Sequence, residues 1–233
     1  MFSRLLTSAL FAGAAAGLIA ALLQLYFVQP VLLHAELYEG GELVHFGASS
    51  TVSSQQDLGG LDPVRDGLSI VFTMLIYTGY AMVMLSLMSV AEARGTMITG
   101  RTGLLWGVAG FVAMHLAPGF SLAPEVPGVA AADVNIRQFW WFATAGLAGV
   151  SMWLLAFGKG WTAWGAAAAL LVAPHIYGAP EPAIFTGNVP TEIGALFAAR
   201  ALGVGFAAWV ILGAFSGYFW SRQVGTNSAH QTT

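Results

Sequence analysis

The chain has 233 residues, of which 57% are hydrophobic and only 8% are charged. Soluble domains carry about 25% charged residues, so this composition is typical of a membrane protein. The sequence contains no cysteine, which excludes disulfides, thiolate metal ligands and cysteine nucleophiles. The formal charge is −3 and no run of basic residues occurs, so we expect no nucleic-acid partner.

Six apolar stretches approach the length of about 20 residues that a helix needs to cross a bilayer. The first stretch is too long for the apolar core of a signal peptide, which favours a retained helix. The third and fifth stretches are short, so a count of five spans stays open. The predicted fold is an all-α, polytopic bundle of transmembrane helices, with spans near 5–28, 68–91, 102–116, 139–157, 161–177 and 201–219.

Basic residues flank these stretches unevenly. With six spans, one side of the membrane carries five basic residues, and the positive-inside rule assigns that side to the cytoplasm. These residues are Arg4, Arg94, Arg101, Lys159 and Arg222. We therefore predict a multi-pass protein of the bacterial inner membrane with both termini in the cytoplasm. The outer side then carries nearly all of the acidic residues. Either this acidic surface concentrates cations, or external loops are simply more acidic because they escape the positive-inside bias.

We predict one transmembrane domain over residues 1–224, an outer loop at 34–66 and a disordered C-terminal tail at 225–233. The first helix is expected to continue through HAELYEGGE until Gly40-Gly41 ends it. Tryptophans at predicted span ends, such as Trp161 and Trp220, are expected to form an aromatic belt. Three G-x-x-x-G pairs predict close approach of helices. The pairs are Gly13 with Gly17, Gly103 with Gly107, and Gly213 with Gly217.

Three histidines end the helices that are predicted to run outward, so they are expected near one membrane boundary. Prolines follow two of them, in AMHLAPG and APHIYGAP. Imidazole and carboxylate groups together suit divalent cobalt, nickel or zinc. We predict a capture site in which the first two of the following residues are the main ligands. The predicted ligands are His115, His175, His34, Glu36, Glu39 and Glu192.

Metal binding needs the neutral imidazole, so uptake is expected to weaken below about pH 6.5. Each histidine alone also fits an ordinary interfacial side chain, because none has ligand spacing such as H-x-x-x-H. His230 lies in the predicted tail and is expected to have no role. Arg200 is predicted either inside the membrane or at its outer interface, paired with Glu192 or Asp133.

Catalytic and nucleotide-binding motifs are missing from the sequence. The stretch FGKGW lacks the leading glycine and the hydroxyl residue of a P-loop, and neither G-x-S-x-G nor H-E-x-x-H occurs. We therefore expect no enzymatic activity and no permanently bound cofactor, with Co²⁺, Ni²⁺ or Zn²⁺ as the transported ion. Two alternatives stay open: a non-catalytic structural or assembly subunit of a larger membrane complex, and a membrane enzyme that uses the outer histidines.

Several segments resemble the proposed cobalt transporter subunit family CbtA. They are MFSRLLTSALFAGAAAGLIAALLQLYFVQPVLLHAELYE, HLAPGFSLAPEVPG, RQFWWFATAGLAG, PHIYGAPEP and VPTEIGALFAARALGVGFAAWVILG, in the same order over nearly the whole chain. The resemblance implies an integral membrane protein, usually counted with five spans, with a role in cobalamin-linked cobalt uptake. It also implies a small one-span partner with a histidine-rich end, CbtB. Assembly into a homo-oligomer or a larger membrane complex stays open.

Overall fold

The chain folds into α-helices connected by loops and by two π-helical turns. The computed structural model describes residues 2–45, 53, 56, 58 and 60–230, except the side chains of 224–230. The α-helices are α1 (Phe2–Leu23), α2 (Gln29–Glu39), α3 (Pro63–Ala93), α4 (Gly100–Phe111), α5 (Ala117–Ser121), α6 (Val134–Phe157), α7 (Gly160–Tyr177) and α8 (Thr191–His230). The first π-helical turn, Gln24–Val28, joins α1 to α2, and the second, Val112–Leu116, joins α4 to α5. The predicted all-α class is confirmed.

Five helical segments of the described residues are long and apolar enough to cross a membrane. They are Phe2–Glu39, Pro63–Ala93, Gly100–Ser121, Val134–Phe157 and Thr191–Gln223. The remaining predicted span is α7, whose 18 residues measure about 27 Å at about 1.5 Å per residue. This helix is therefore slightly shorter than a hydrocarbon core of about 30 Å. The predicted multi-pass helical bundle is confirmed, and the count of six is approximate because α7 is marginal.

The chain divides into two compact units, and three helical segments contribute to both of them. Unit 1 comprises Met1–Leu25, Leu61–Phe111 and Val204–Thr233, and unit 2 comprises Tyr26–Gly60 and Val112–Gly203. Of the predicted outer loop, residues 46–52, 54, 55, 57 and 59 lie outside the described part. The helix α8 includes residues 225–230, where the sequence predicts a disordered tail, and 231–233 lie outside the described part. The single domain over 1–224 stays a prediction.

Glycines bring two pairs of helices into backbone contact in unit 1. A β-carbon added at Gly17 of α1 would lie 2.6 Å from the Cα atom of Met74 in α3. One added at Gly213 of α8 would lie 2.7 Å from the Cα atom of Gly107 in α4. The other members of the three predicted pairs, Gly13, Gly103 and Gly217, make equivalent backbone contacts. The predicted close approach of helices at these pairs is confirmed.

Arg4 connects the start of α1 to the ends of α3 and α8. Its Nη2 atom donates to the carbonyl oxygen of Trp220 at 3.0 Å, and its Nη1 atom lies 3.5 Å from Oε2 of Glu92. The guanidinium also stacks on the indole of Trp220, 3.7 Å from the ring centroid. The start of α1 and the Trp220 region of α8 therefore lie on one side of the membrane, which the sequence predicts to be the cytoplasm.

In unit 2, α7 runs antiparallel to α6 and returns the chain to the end at which α6 starts. The ring of His175, near the end of α7, lies 6.1 Å from the ring of Trp140 in the first half of α6. The hydroxyl of Ser151 in α6 also donates to the carbonyl oxygen of Ala167 in α7 at 2.7 Å. The two helices of unit 2 therefore form an antiparallel hairpin.

A small apolar cluster holds α2 against two loops of unit 2. Ala35 and Tyr38 of α2 are buried with Val126 of one loop and Val189 of the other. An isolated antiparallel bridge joins the same two loops. The helix ends at Glu39, as the sequence predicts from the glycines that follow. These loops therefore have a fixed position relative to α2.

We expect Gly213→Ala to lower the thermal unfolding midpoint, because the added methyl group would meet the backbone of α4. Overpacking usually costs about 1–3 kcal/mol, and backbone atoms cannot rotate away. The control is Gly203→Ala in the same helix, where no described atom lies within 4 Å of the added carbon. Unfolding of both variants in one detergent measures the difference. A Gly213→Ala midpoint at or above that of Gly203→Ala would contradict the close crossing.

We also expect Gly128→Ala to destabilise the protein more than Gly41→Ala. Both glycines have positive φ angles, +80° and +78°, which cost roughly 1–2 kcal/mol for a residue with a β-carbon. Only Gly128 is crowded as well, because its β-carbon would lie 3.1 Å from Cβ of Glu39 and 3.3 Å from Cγ2 of Val189. Thermal unfolding of the two variants isolates the packing of the loop on α2. Equal decreases of the unfolding midpoint in the two variants would show that the packing of this loop on α2 contributes nothing to stability.

Candidate functional site

All six predicted metal ligands lie in unit 2, on four separate helical segments. They are His34, Glu36 and Glu39 of α2, His115 of the second π-helical turn, His175 of α7 and Glu192 of α8. The sequence therefore identifies residues of one compact unit. The contacts and the burial of each side chain decide whether these residues can bind one metal ion together.

The helix α7 ends at Tyr177, two residues after the histidine that follows Pro174. The chain leaves the helix at Gly178, whose φ of +96° favours glycine. The amide of Gly178 donates to the carbonyl oxygen of Pro174 at 3.0 Å and closes the last turn. This local sequence places His175 at the end of an otherwise apolar helix.

Three side chains hold the imidazole of His175. Its Nδ1 atom lies 2.8 Å from Oγ of Ser121, at the end of α5. Its ring lies 5.1 Å from the ring of Phe120 and 6.1 Å from that of Trp140. When Nδ1 is protonated and donates a hydrogen bond to Oγ of Ser121, Nε2 carries no proton. The lone pair of Nε2 can then bind a metal ion. Metal-binding histidines in general are oriented by such a bond at their other nitrogen.

His115 lies in the second π-helical turn, within the helical run that also carries Ser121. Single π-helical turns inside α-helices are frequent at functional sites. This turn packs against Ala148 of α6 and Leu171 of α7. The side chain of His115 is partly buried, and its Nε2 atom is enclosed. The same two helices thus position His115 and His175.

The helix α2 separates its imidazole from its carboxylates. The ring of His34 lies 5.6 Å from the ring of Tyr38, which is buried. The Nε2 atom of His34 is buried and has no hydrogen bond within the described part of the chain. Glu36 and Glu39 are exposed. His34 and Tyr38 thus lie on one face of α2 and the two glutamates on another.

The six predicted ligands do not form a ready coordination sphere. Across residues 2–45, 53, 56, 58 and 60–230, no group of three or more histidines, aspartates and glutamates is placed to hold a metal ion. The physical reason is that the carboxylates of Glu36, Glu39 and Glu192 are exposed, whereas His34 and His175 are held by their own neighbours. The ligand set stays a prediction.

An ion pair fixes the loop that leads into α6. Nη2 of Arg137 lies 2.6 Å from Oε2 of Glu125, and Arg137 precedes Trp140 by one turn. Sequence reasoning missed this pair, although a signal was present. Within residues 102–158 only three side chains are charged, and the third, Asp133, is used as the N-cap of α6, accepting from the amide of Asn135 at 2.9 Å. The other two are therefore natural partners.

Arg200 bonds to the first π-helical turn. Its Nη1 atom donates to the carbonyl oxygen of Phe27 at 3.1 Å. The expected pairing with Glu192 or Asp133 is wrong, because both carboxylates are engaged locally. Oε2 of Glu192 accepts from the hydroxyl of Thr191 at 3.3 Å, and Asp133 caps α6. A backbone carbonyl thus replaces the carboxylate that sequence reasoning expects.

The sequence matches the family model of CbtA, described as a probable cobalt transporter subunit, over residues 2–221. No curated protein and no solved structure matches the chain significantly. The matched range includes every predicted span and every predicted ligand. It also agrees with the several helices that are long and apolar enough to cross a membrane. The chain therefore belongs to the CbtA family of probable cobalt transporter subunits.

Proposed function

We propose that this chain is a subunit for uptake of Co²⁺ across the bacterial inner membrane, and that His175 and His115 capture the ion. The observation that carries the proposal is the 2.8 Å contact between Nδ1 of His175 and Oγ of Ser121. This contact orients the imidazole at the end of an apolar helix and leaves Nε2 for an ion. Imidazole suits borderline divalent metals, and the family description supports cobalt among them.

The separation of the six predicted ligands suits a transported ion better than a resident one. An ion that must leave again needs a site that is favourable to enter and weak enough to release it. We infer that one or two imidazoles bind the ion while it keeps part of its water shell. The exposed Glu36, Glu39 and Glu192 attract the cation and supply further oxygens. No permanently bound cofactor and no catalytic step are part of this proposal.

We expect His175→Ala and His115→Ala each to lower cobalt uptake more than about tenfold, because each removes a ligand rather than a supporting group. Radioactive cobalt accumulation in cells with matched protein levels measures the loss. His230→Ala, which changes the histidine of the predicted tail, is the control and is expected to keep wild-type uptake. Acidification is expected to lower uptake by the wild type, because metal binding needs the neutral imidazole.

Wild-type uptake by both histidine variants would contradict the capture site. If the purified chain also contained no cobalt after incubation with the ion, the result would favour the alternative. The chain would then be a non-catalytic structural or assembly subunit of a larger membrane complex. Elemental analysis of the purified protein, before and after addition of cobalt, makes this distinction.

Ser121 is proposed as a positioning residue for His175. We expect Ser121→Ala to lower uptake roughly tenfold, the effect of losing an outer partner of a metal-binding histidine. Ser121→Thr keeps the hydroxyl and is expected to restore most of the uptake. A purely structural role would instead lower the unfolding midpoint of Ser121→Ala together with its uptake. Uptake by Ser121→Ala equal to that of the wild type would remove the hydroxyl from the site.

A further inference from the structure

The flank of the α4–α8 crossing in unit 1 carries a groove that cobalt capture does not use. Its volume is about 360 Å³. The close crossing of the helices produces its narrow floor, since a β-carbon added at Gly100 would lie 3.5 Å from Cβ of Tyr218. The groove is lined by Gly100, Arg101, Leu104, Ala214, Phe215 and Tyr218. Its walls are apolar, and Arg101 is the one charged residue of this lining.

Two arginines lie beside this groove, Arg101 in its lining and Arg222 in contact with Tyr218. Arg101 is exposed, and no carboxylate of the described residues lies within 4 Å of its guanidinium. Arg222 reaches the groove through Tyr218, because its Nη1 atom donates to the tyrosine hydroxyl at 2.8 Å. The guanidinium of Arg222 also lies 5.4 Å from the centroid of that ring. Two positive charges are thus associated with one apolar groove.

We propose that this groove binds an anionic phospholipid, with one acyl chain along Leu104 and Phe215 and the phosphate at Arg101. The groove opens outward, since Leu104 and Tyr218 are 40% and 45% exposed. Both helices belong to segments that are long and apolar enough to cross a membrane, so lipid is the solvent of this flank. Arginine binds phosphate oxygens in pairs, which makes the guanidinium a suitable headgroup partner.

Charge complementarity selects this occupant over another apolar helix. A neighbouring transmembrane helix would cover the apolar walls but would leave Arg101 without an anion. A zwitterionic lipid also carries a phosphate, but its own amine competes for that phosphate. An anionic headgroup supplies both the apolar chain and the missing negative charge. The proposal is independent of cobalt capture, since none of the six predicted ligands lines the groove.

The test compares two lipids that have the same acyl chains and differ in headgroup charge. The purified full chain is titrated with dioleoyl phosphatidylglycerol and with dioleoyl phosphatidylethanolamine, and bound lipid is counted by native mass spectrometry. We expect the wild type to prefer phosphatidylglycerol about fivefold, the effect of one basic residue at an anionic surface. Arg101→Gln is expected to lose this preference. The control Arg94→Gln, which removes a basic residue outside the groove lining, is expected to keep it.

A second variant keeps the test decisive if Arg101→Gln does not fold. Leu104→Trp fills the groove but retains Arg101, and we expect it to weaken binding of both lipids by a similar factor. Equal binding of the two lipids by the wild type would overturn the proposal. An equal loss in Arg94→Gln and Arg101→Gln would also overturn it, since general surface attraction would explain the preference. Displacement of the lipid by an equal concentration of glycerol 3-phosphate would identify a soluble phosphate as the ligand instead.

Discussion

Backbone contact at glycines is the constraint on which the packing of unit 1 depends. Hydrocarbon is as apolar as the side chains, so helices in a bilayer gain little from hydrophobic burial against each other and associate through close packing. Gly17 lets α1 contact the backbone of α3, and Gly213 lets α8 contact the backbone of α4. Arg4 then joins the start of α1 to Glu92 of α3 and to Trp220 of α8. The narrow floor of the groove between α4 and α8, at Gly100, is a product of the same crossing.

Arginines within a largely apolar chain require partners, because an isolated charge in a low-dielectric environment is costly. The structure meets this requirement in three different ways. Arg4 uses the carbonyl oxygen and the ring face of Trp220 together with Glu92, Arg137 uses Glu125, and Arg200 uses a carbonyl oxygen of a π-helical turn. Arg101 differs from them, since no carboxylate of the described residues lies within reach of its guanidinium. That difference is the reason for assigning it an external anion.

Local patterns predicted the features that are set by neighbouring residues. The all-α class, the backbone contacts at Gly213 and the end of α2 all follow from short stretches of sequence. Long-range contacts could not be predicted in this way. Ser121 and His175 are 54 positions apart, and no spacing rule connects them. The expected place of Trp220 in an aromatic belt is another such case, since the residue is fully buried and Arg4 stacks on its ring.

In the proposed uptake, the free energy available to move the ion favours a few separate ligands over a complete coordination sphere. The sequence has no nucleotide-binding motif, so the membrane potential is a sufficient candidate for the driving force. For a divalent cation, about 100 mV supplies roughly 4.6 kcal/mol, at about 2.3 kcal/mol per charge. Structural metal sites bind with about 10–16 kcal/mol, so the potential alone could not empty such a site. In the proposed uptake, an oriented imidazole at His175, with carboxylates held apart from it, would bind an ion weakly enough for that driving force to move it onward.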